Sequence, residues 1–488
     1  MKCTMIIRNS RRVAAAGKAL LLLILGAWLS GCATNPVSGG QDLVLMTEAQ
    51  EIQLGKQSHQ QIIQQYGRYD SPELQAMVNR IGQEIAAQSH RPDLEFTFTV
   101  LDAPEVNAFA LPGGYVYITR GIMAYLNSEE ELAGVLGHEV GHVTARHSVR
   151  QNTAQTATGL IGVLAAVATG DSSLTQTTQY IGSALVSGYG RGHELEADRL
   201  GAEYLARINY DPESMLTVIG VLKNQELFAR ERAQASGEKA PAAYHGLFSS
   251  HPENDQRLRE VITAAKQYQS AEVKHPNPEN YLKLLDGLAF GDSESQGIVR
   301  SNQFYHRDLN LHLSFPDGWQ LINQPQKLLG VSADKSQLIQ FVLGDAGGLS
   351  PDAFLKKTFP ALKDGRALEG NAYSGEVVLD TPWGKKKGRV AAVGYNNSTF
   401  VVLGVGKSRL PGQRFDDTVA SLRGLTKQEQ KLATGRKIRL IRVQRGDTFA
   451  DWAERSNIDQ FEVSQLRLLN GLYPEGEPGP GQLIKLVQ

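Results

Sequence analysis

Residues 129–142 read EEELAGVLGHEVGH and end in a His-Glu-x-x-His segment, His138 to His142. The apolar residues of this run recur at helical spacing and predict an amphipathic helix. Residues four apart lie one above the other on a helix, so His138 and His142 can bind one zinc ion. Glu139 between them can act as general base toward a water molecule on that ion, which predicts a zinc peptidase. The alternative is a surface helix with two solvated histidines.

A second helical pattern supplies the missing ligand. Residues 189–205 read YGRGHELEADRLGAEYL, and a catalytic zinc ion needs three protein ligands and one open position. We expect Glu194 to be the third ligand. Asp198 lies one turn further on the same face, where it can accept the outer N–H of a ligating histidine and fix its tautomer. Glu196 points away from that face and is predicted to be a surface charge.

Glycines recur on both predicted helices. Gly134, Gly137 and Gly141 lie at three- and four-residue spacing on the first, and Gly201 continues the ligand face of the second. Each glycine costs up to ~1 kcal/mol in helix propensity relative to alanine. Close packing of the two helices is the compensation that we expect.

These motifs, together with the segment NAFALPGG at residues 107–114, resemble those of the CAAX prenyl protease and HtpX-type family of zinc metallopeptidases. The similarity covers about residues 33–270 and is greatest to the periplasmic lipoprotein branch of that family. It implies a mostly helical zincin-type domain with a small sheet and one Zn²⁺ per chain. It also implies that the glutamate opening the Glu-x-x-x-Asp motif, here Glu194, is the third ligand.

The segment before Pro112 is a candidate substrate-binding edge, formed by Asn107, Ala108, Phe109 and Ala110. A strand with two distinct faces follows it at residues 115–119. The family resemblance implies that backbone groups near Ala108 and Ala110 bind an extended peptide as an added strand. The alternative is a plain turn that leads into a core strand.

His251 has two interpretations. It follows a loop rich in Ala, Arg, Glu, Gly and Pro at about residues 228–247 and precedes a predicted helix. It is either a helix-start histidine with no ligand role or a switch that occupies the fourth position on zinc until substrate arrives. Arg191, His193 and His251 are all candidates for stabilising the oxyanion, and the sequence does not rank them. The apolar run at residues 158–169 is too short to cross a bilayer and predicts a buried helix, a flap or a membrane-surface contact.

The amino-terminal residues predict the compartment. Five basic residues precede a short apolar run, and the segment ends in Leu29-Ser30-Gly31-Cys32, which resembles a bacterial lipobox. Residues 1–31 are therefore predicted to be a signal peptide and Cys32 to carry a lipid, on the periplasmic side of the outer membrane. A generic signal peptide with an incidental cysteine is the alternative. Without residues 1–31 the chain has 45 basic and 51 acidic residues, which argues against nucleic acid as a partner.

The whole chain is predicted to be a multidomain α+β protein. Residues 436–488 read as strand, helix, helix, strand and resemble a LysM module, which implies binding to N-acetylglucosamine chains of peptidoglycan; a structural cap is the alternative. No catalytic constellation is visible in the antiparallel α+β domain that precedes it. The predicted units are a tether at 32–46, the peptidase domain at 47–272, a linker at 273–303, the α+β domain at 304–428 and the LysM-like domain at 436–488.

Two classes of function remain open. The first is a zinc endopeptidase that hydrolyses misfolded or stalled envelope proteins in the quality control of outer-membrane proteins, with unfolded or misassembled envelope proteins as its substrates. The second is a largely latent, chaperone-like scaffold whose terminal domains hold partners at the wall.

Overall fold

The structure is a computed structural model that describes residues 32–44, 46–151, 190–237, 259, 262–381 and 383–488. A short hairpin opens it and helices dominate the part that follows. Two strands pair in the hairpin, with Cys32 opposite Leu43. The elements up to residue 236 are β1 (Cys32–Thr34), β2 (Gln41–Leu43), α1 (Glu48–Tyr66), α2 (Pro72–Ala87), β3 (Thr97–Leu101), β4 (Ala108–Leu111), β5 (Tyr115–Thr119), α3 (Arg120–Tyr125), α4 (Glu129–Thr144), α5 (Arg191–Arg207) and α6 (Ser214–Ser236).

The small sheet of this part has the order β3-β5-β4. β3 runs parallel to β5, and β4 runs antiparallel to it, with Ala110 opposite Val116. α4 contacts both β4 and β5. β4 is therefore an edge strand beside the helix that carries the His-Glu-x-x-His segment.

Local sequence explains where α4 begins. The Ser128 side chain accepts a hydrogen bond from the Glu131 backbone N–H at 3.1 Å and caps the helix. Three glutamates fill its first turn, where the helix dipole favours negative charge. The helix then becomes almost fully buried over the residues that bear the predicted ligands.

α4 and α5 pack against each other at glycine residues. The sequence predicts this contact for four glycines, and three of them make it. A Cβ atom on Gly137 would lie 2.6 Å from Leu205 Cδ1, and one on Gly141 would lie 2.8 Å from the Ala197 carbonyl oxygen. A Cβ atom on Gly201 would lie 3.0 Å from the His138 backbone nitrogen. Gly134 faces α6 instead, with Val218 Cγ2 3.4 Å from the position of a Cβ. The missing side chains let the two helices approach closely.

The following part is built from antiparallel strands. Its elements are α7 (Pro278–Leu284), β6 (Ala289–Phe290), β7 (Ile298–Arg300), β8 (Gln303–His306), β9 (Leu311–Ser314), β10 (Gln320–Gln324), β11 (Lys327–Val331), β12 (Gln337–Gly344), α8 (Pro351–Thr358), β13 (Lys363–Leu368), β14 (Ala372–Thr381), β15 (Gly384–Tyr395), β16 (Ser398–Gly406), α9 (Gln413–Ala420) and α10 (Glu429–Leu432). A seven-stranded sheet has the order β10-β11-β12-β16-β15-β14-β13 with every pairing antiparallel, and β7-β8-β9 form a separate sheet. The predicted α+β class with antiparallel sheets is confirmed.

The terminal residues form a strand, two helices and a strand, namely β17 (Arg436–Arg442), α11 (Phe449–Ala453), α12 (Glu462–Leu469) and β18 (Leu483–Val487). β17 pairs with β18 and also with β6. Ile438, Leu468 and Val487 belong to the same buried cluster as the core of the helical part. The stretch 273–303, predicted to be a linker, contributes the fully buried Tyr281 and Leu285 to that cluster. The terminal unit is thus packed against the helical part, where α12 contacts α3 and α6.

No helix among the described residues is both long and apolar enough to span a membrane. Three predictions lie outside the described residues: the signal peptide at 1–31, the apolar run at 158–169 and His251. Cys32 begins β1.

Candidate active site

Helices α4 and α5 bring three predicted ligands together. His138 and His142 project from α4, and their Nε2 atoms lie 2.9 Å apart. Glu194, in the first turn of α5, places Oε2 3.5 Å from His138 Nε2 and Oε1 3.8 Å from His142 Nε2. Both imidazoles are buried and the carboxylate is largely so. Three ligand atoms from two helices thus converge on one point.

These residues fit a zinc ion. Ligand atoms about 2.0–2.1 Å from zinc at tetrahedral angles lie ~3.3 Å apart, and the observed separations of 2.9, 3.5 and 3.8 Å bracket that value. Both carboxylate oxygens of Glu194 are buried without a hydrogen-bond partner. A buried carboxylate with no donor is costly, and a cation between it and the imidazoles would satisfy it. The set of two histidines and one glutamate leaves an open fourth position, as in catalytic zinc sites.

Asp198 lies one turn beyond Glu194 and contacts the other side of His138. Its Oδ1 atom is 2.9 Å from His138 Nδ1. Burial lowers the pKa of His138, but the hydrogen bond to Asp198 and the negative charges of Asp198 and Glu194 outweigh it and raise that pKa to about 10. The same two carboxylates favour any positive charge at this position, including that of a metal ion. With Nδ1 directed at Asp198, His138 presents Nε2 as its ligand atom.

Glu139 is the candidate general base. It is 3% exposed, and burial raises the pKa of its carboxyl to about 7, an effect that His138 opposes and Glu194 reinforces. A carboxylate of raised basicity beside a metal site is suited to taking a proton from water near neutral pH. Its place between His138 and His142 follows from the helix itself.

The sequence does not single out His147, and it predicts the wrong environment for Glu196. His147 Nδ1 lies 2.8 Å from His142 Nδ1, and His147 Nε2 lies 3.1 Å from Glu196 Oε2. The expectation that Glu196 is a surface charge is wrong: its side chain is 23% exposed and also accepts a hydrogen bond from Arg150 Nη1 at 2.8 Å. The helical period orients Glu196 away from Asp198, but it does not reveal that the residues after α4 cover that side. The closeness of His147 to His142 in sequence was the available signal.

The edge strand β4 contains three of the four residues predicted to bind substrate, and Asn107 precedes it. The Thr119 backbone N–H donates to the Asn107 carbonyl at 3.0 Å. Antiparallel pairs alternate between bonded and non-bonded positions, so the backbone groups of Ala108 and Ala110 point away from β5. Among the described residues no strand pairs with that edge. The backbone groups available to an extended peptide are thus those of Ala108 and Ala110.

The structure describes the three candidates for oxyanion stabilisation to different extents. His193 stacks on His147, with ring centroids 4.4 Å apart and an interplanar angle of 19°. Arg191 begins α5. His251 lies outside the described residues. Of these three side chains the structure describes that of His193, which is related to the ligand cluster through His147.

Comparisons with known proteins find similarity to peptidases. Residues 72–265 match the family model described as peptidase family M48. A beta-barrel assembly-enhancing protease of Yersinia pestis is 28% identical over 265 residues, which cover 50% of this chain and 52% of the relative. Its counterpart in Escherichia coli K12 is 27% identical over 251 residues, which cover 49% of each chain. This chain spans about half the length of both bacterial relatives.

Similarities also extend beyond bacteria. The mitochondrial metalloendopeptidase OMA1 of Schizosaccharomyces pombe is 29% identical over 214 residues, which cover 43% of this chain and 60% of the relative. A solved crystal structure from Bacteroides thetaiotaomicron is similar over 32% of this chain and 58% of its own, with 12% identity. Its TM-score of 0.22 is too low to support an argument about the fold.

Proposed function

We propose that this chain is a zinc-dependent endopeptidase of the bacterial cell envelope, because residues 72–265 match the model of peptidase family M48. The observation that carries the proposal is the convergence of His138, His142 and Glu194, whose ligand atoms all lie within 4.8 Å of one another. The buried Glu139 adjoins this cluster in sequence and can serve as its base.

The residues of the site divide the hydrolysis of a peptide bond between them. When bound, the zinc ion would polarise the scissile carbonyl and acidify a water molecule. Glu139 accepts the proton of the attacking water and returns it to the leaving amine. Asp198 holds His138 in the tautomer that presents Nε2 to the metal. The edge of β4 fixes the extended substrate through the outward backbone groups of Ala108 and Ala110.

The substrates we propose are misfolded or stalled envelope proteins, including unfolded or misassembled outer-membrane proteins. Support comes from the name of the bacterial relatives, beta-barrel assembly-enhancing protease. An edge strand that binds main-chain groups also suits an unfolded chain, because it reads extended backbone rather than a folded surface. We place the enzyme on the periplasmic side of the outer membrane, with a lipid on Cys32.

We also propose that residues 436–488 contact the N-acetylglucosamine chains of peptidoglycan. The order β17, α11, α12, β18 supports it. The alternative role of a structural cap is supported by the burial of Ile438, Leu468 and Val487 against the peptidase core. Sedimentation of the protein with purified, protein-free peptidoglycan separates the two: a cap stays in the supernatant.

The test is cleavage of an unfolded protein by the purified full chain. We expect Glu139→Gln to reduce kcat about 10²–10⁴-fold while zinc content stays at one per chain. Glu130→Gln is the matched control, because Glu130 lies in the first turn of the same helix and outside the ligand cluster. Cleavage that survives in Glu139→Gln would refute the mechanism. Binding of unfolded protein without cleavage in the wild type would favour the latent, chaperone-like alternative.

A further inference from the structure

The outer nitrogen of His142 is held by a second histidine. His142 Nε2 faces the ligand cluster, so a metal-bound His142 carries its hydrogen on Nδ1. That hydrogen points at His147 Nδ1, 2.8 Å away. His147 must then accept on Nδ1 and carry its own hydrogen on Nε2. The ring of His147 has no exposed surface, which leaves water no access to take its place.

Glu196 completes the hydrogen-bond pattern that this tautomer requires. Its Oε2 atom lies 3.1 Å from His147 Nε2 and can accept the hydrogen there. Arg150 Nη1 donates to the same oxygen at 2.8 Å and fixes the carboxylate as an anion. The stacked ring of His193 limits rotation of His147 about its side-chain bonds. Each donor in the series His142, His147, Glu196 therefore meets an acceptor.

The amino-terminal hairpin lies at the outer end of this series. Arg150 Nε is 3.7 Å from Asp42 Oδ2 in β2. Asn35 Nδ2 lies 2.7 Å from the same oxygen, and Asn35 Oδ1 accepts from the backbone N–H groups of Val37 and Ser38 at 2.8 and 2.9 Å. Asn35 is 4% exposed. The hairpin is thus internally fixed and presents a carboxylate to the arginine that holds Glu196.

We propose that His147 and Glu196 are positioning residues for the metal ligand His142, and that Asp42 of the hairpin supports them through Arg150. The two histidine ligands are then oriented in different ways: His138 directly by the Asp198 carboxylate, His142 by the Glu196 carboxylate through an intervening imidazole. The inference rests on the zinc site of the proposed function and adds a dependence of that site on residues outside the ligand motifs.

We call the contacts from His142 through His147 to Glu196 the relay. Zinc affinity and cobalt spectroscopy test it in the full chain. Residues that orient metal ligands contribute about 10–100-fold to metal affinity. We expect His147→Ala to raise the zinc dissociation constant, measured by competition with a chelator, by a factor in that range. Glu196→Gln should raise it about 10-fold, because the amide keeps an acceptor but loses the charge. Asp198→Asn shows the effect of losing a carboxylate that contacts a histidine ligand directly. Asp42→Asn should change the zinc dissociation constant least among the four substitutions.

A purely structural role is excluded by two further measurements. His147→Gln can accept from His142 and donate to Glu196 through its amide, so it should recover part of the affinity that His147→Ala loses. The visible absorption bands of the Co²⁺-substituted protein should shift in His147→Ala and Glu196→Gln, because the ligand field depends on the orientation of His142. Glu203→Gln is the control: Glu203 is a buried carboxylate on the same helix that pairs with Arg207.

The outcomes separate this inference from the proposed function. A wild-type chain that binds no zinc contradicts the proposed function itself. If the wild type binds zinc and both His147→Ala and Glu196→Gln match Glu203→Gln in affinity and spectrum, the relay is wrong and the zinc site stands. Should His147→Ala fail to fold, as seen by circular dichroism, Glu196→Gln and His147→Gln decide the matter.

Discussion

The Nζ atom of Lys485 lies 2.6 Å from the carbonyl oxygen of Ala124 and 2.8 Å from that of Leu126. These carbonyl groups lie at the C-terminal end of α3, where a helix leaves its last carbonyls without an intrahelical partner. Lys485 of β18 donates the hydrogen bonds that they would otherwise lack. Lys485 is completely buried. A polar contact of this kind, within an apolar interface, fixes the orientation of the terminal unit against the helical part of the chain.

The buried lysine makes stability depend on pH. Burial lowers the pKa of Lys485 to about 7, an effect opposed by Glu131. The unfolded chain keeps the ordinary lysine pKa near 10.4. Between these values the unfolded state binds more protons, so the free energy of unfolding rises with pH, by at most about 1.4 kcal/mol per pH unit. Below about pH 7 both states hold the proton and the full desolvation cost remains.

Urea unfolding of the wild type and Lys485→Met at pH 7 and pH 9 measures this effect. The wild type should gain stability relative to Lys485→Met between the two pH values. Lys385→Met provides the control, because the Lys385 side chain is 78% exposed. Equal pH slopes for the wild type and Lys485→Met would show that Lys485 keeps its ordinary pKa.

Gly201 should not tolerate even a methyl group. A Cβ atom there would lie 3.0 Å from the His138 backbone nitrogen and 3.1 Å from the carbonyl carbon of Gly137. Both are backbone atoms, so α4 and α5 would have to separate. We expect Gly201→Ala to lower the free energy of unfolding by about 1–3 kcal/mol.

Gly220→Ala is the matched substitution, because a Cβ atom at this position of α6 meets nothing within 4 Å. It should stabilise the chain by up to about 1 kcal/mol through helix propensity alone. Thermal unfolding of the two variants makes the comparison. Similar changes in both would mean that the contact between α4 and α5 is not as close as these distances indicate.

Removal of the metal should destabilise the fold as well as stop cleavage. The carboxylate oxygens of Glu194 are buried and have no hydrogen-bond partner, so the metal-free site retains an unsatisfied group. Free zinc at 100 times its dissociation constant should add about 2.7 kcal/mol to the free energy of unfolding. Unfolding with and without a chelator measures the difference, which Glu194→Gln should abolish and Glu130→Gln should keep.

Peptide backbone groups should govern substrate affinity. Because Ala108 and Ala110 direct their N–H and C=O groups outward from β5, an extended substrate should form hydrogen bonds at alternate residues. N-methylation of a peptide substrate at those residues should lower kcat/KM about 2–12-fold, the equivalent of one hydrogen bond of ~0.5–1.5 kcal/mol. Methylation at the intervening residues should have little effect. If N-methylation lowered kcat/KM equally at every residue of the peptide, binding of the substrate as an added strand at β4 would be contradicted.

The sequence identified the residues that converge at the site, but not everything that holds them there. His138, Glu139 and His142 share a helix, so their relative positions follow from helical geometry, and Glu194 and Asp198 share a second one. The helical period alone predicts that Glu196 lies on the surface. That period gives the direction of a side chain and says nothing about which segment covers it, here the residues around His147.

The sequence alone determined the chemical identity of the site, because a five-residue motif and a helical repeat are local properties of the chain. It also determined the alternation of strands that makes the later part an antiparallel α+β structure. Only the tertiary structure decided that Glu196 supports His142 through His147 and that Gly134 faces α6 instead of α5. It also decided that Lys485 donates to the carbonyl groups at the end of α3. These contacts join residues that are distant in sequence or lie on separate elements, and packing, which no local pattern encodes, sets which of them meet.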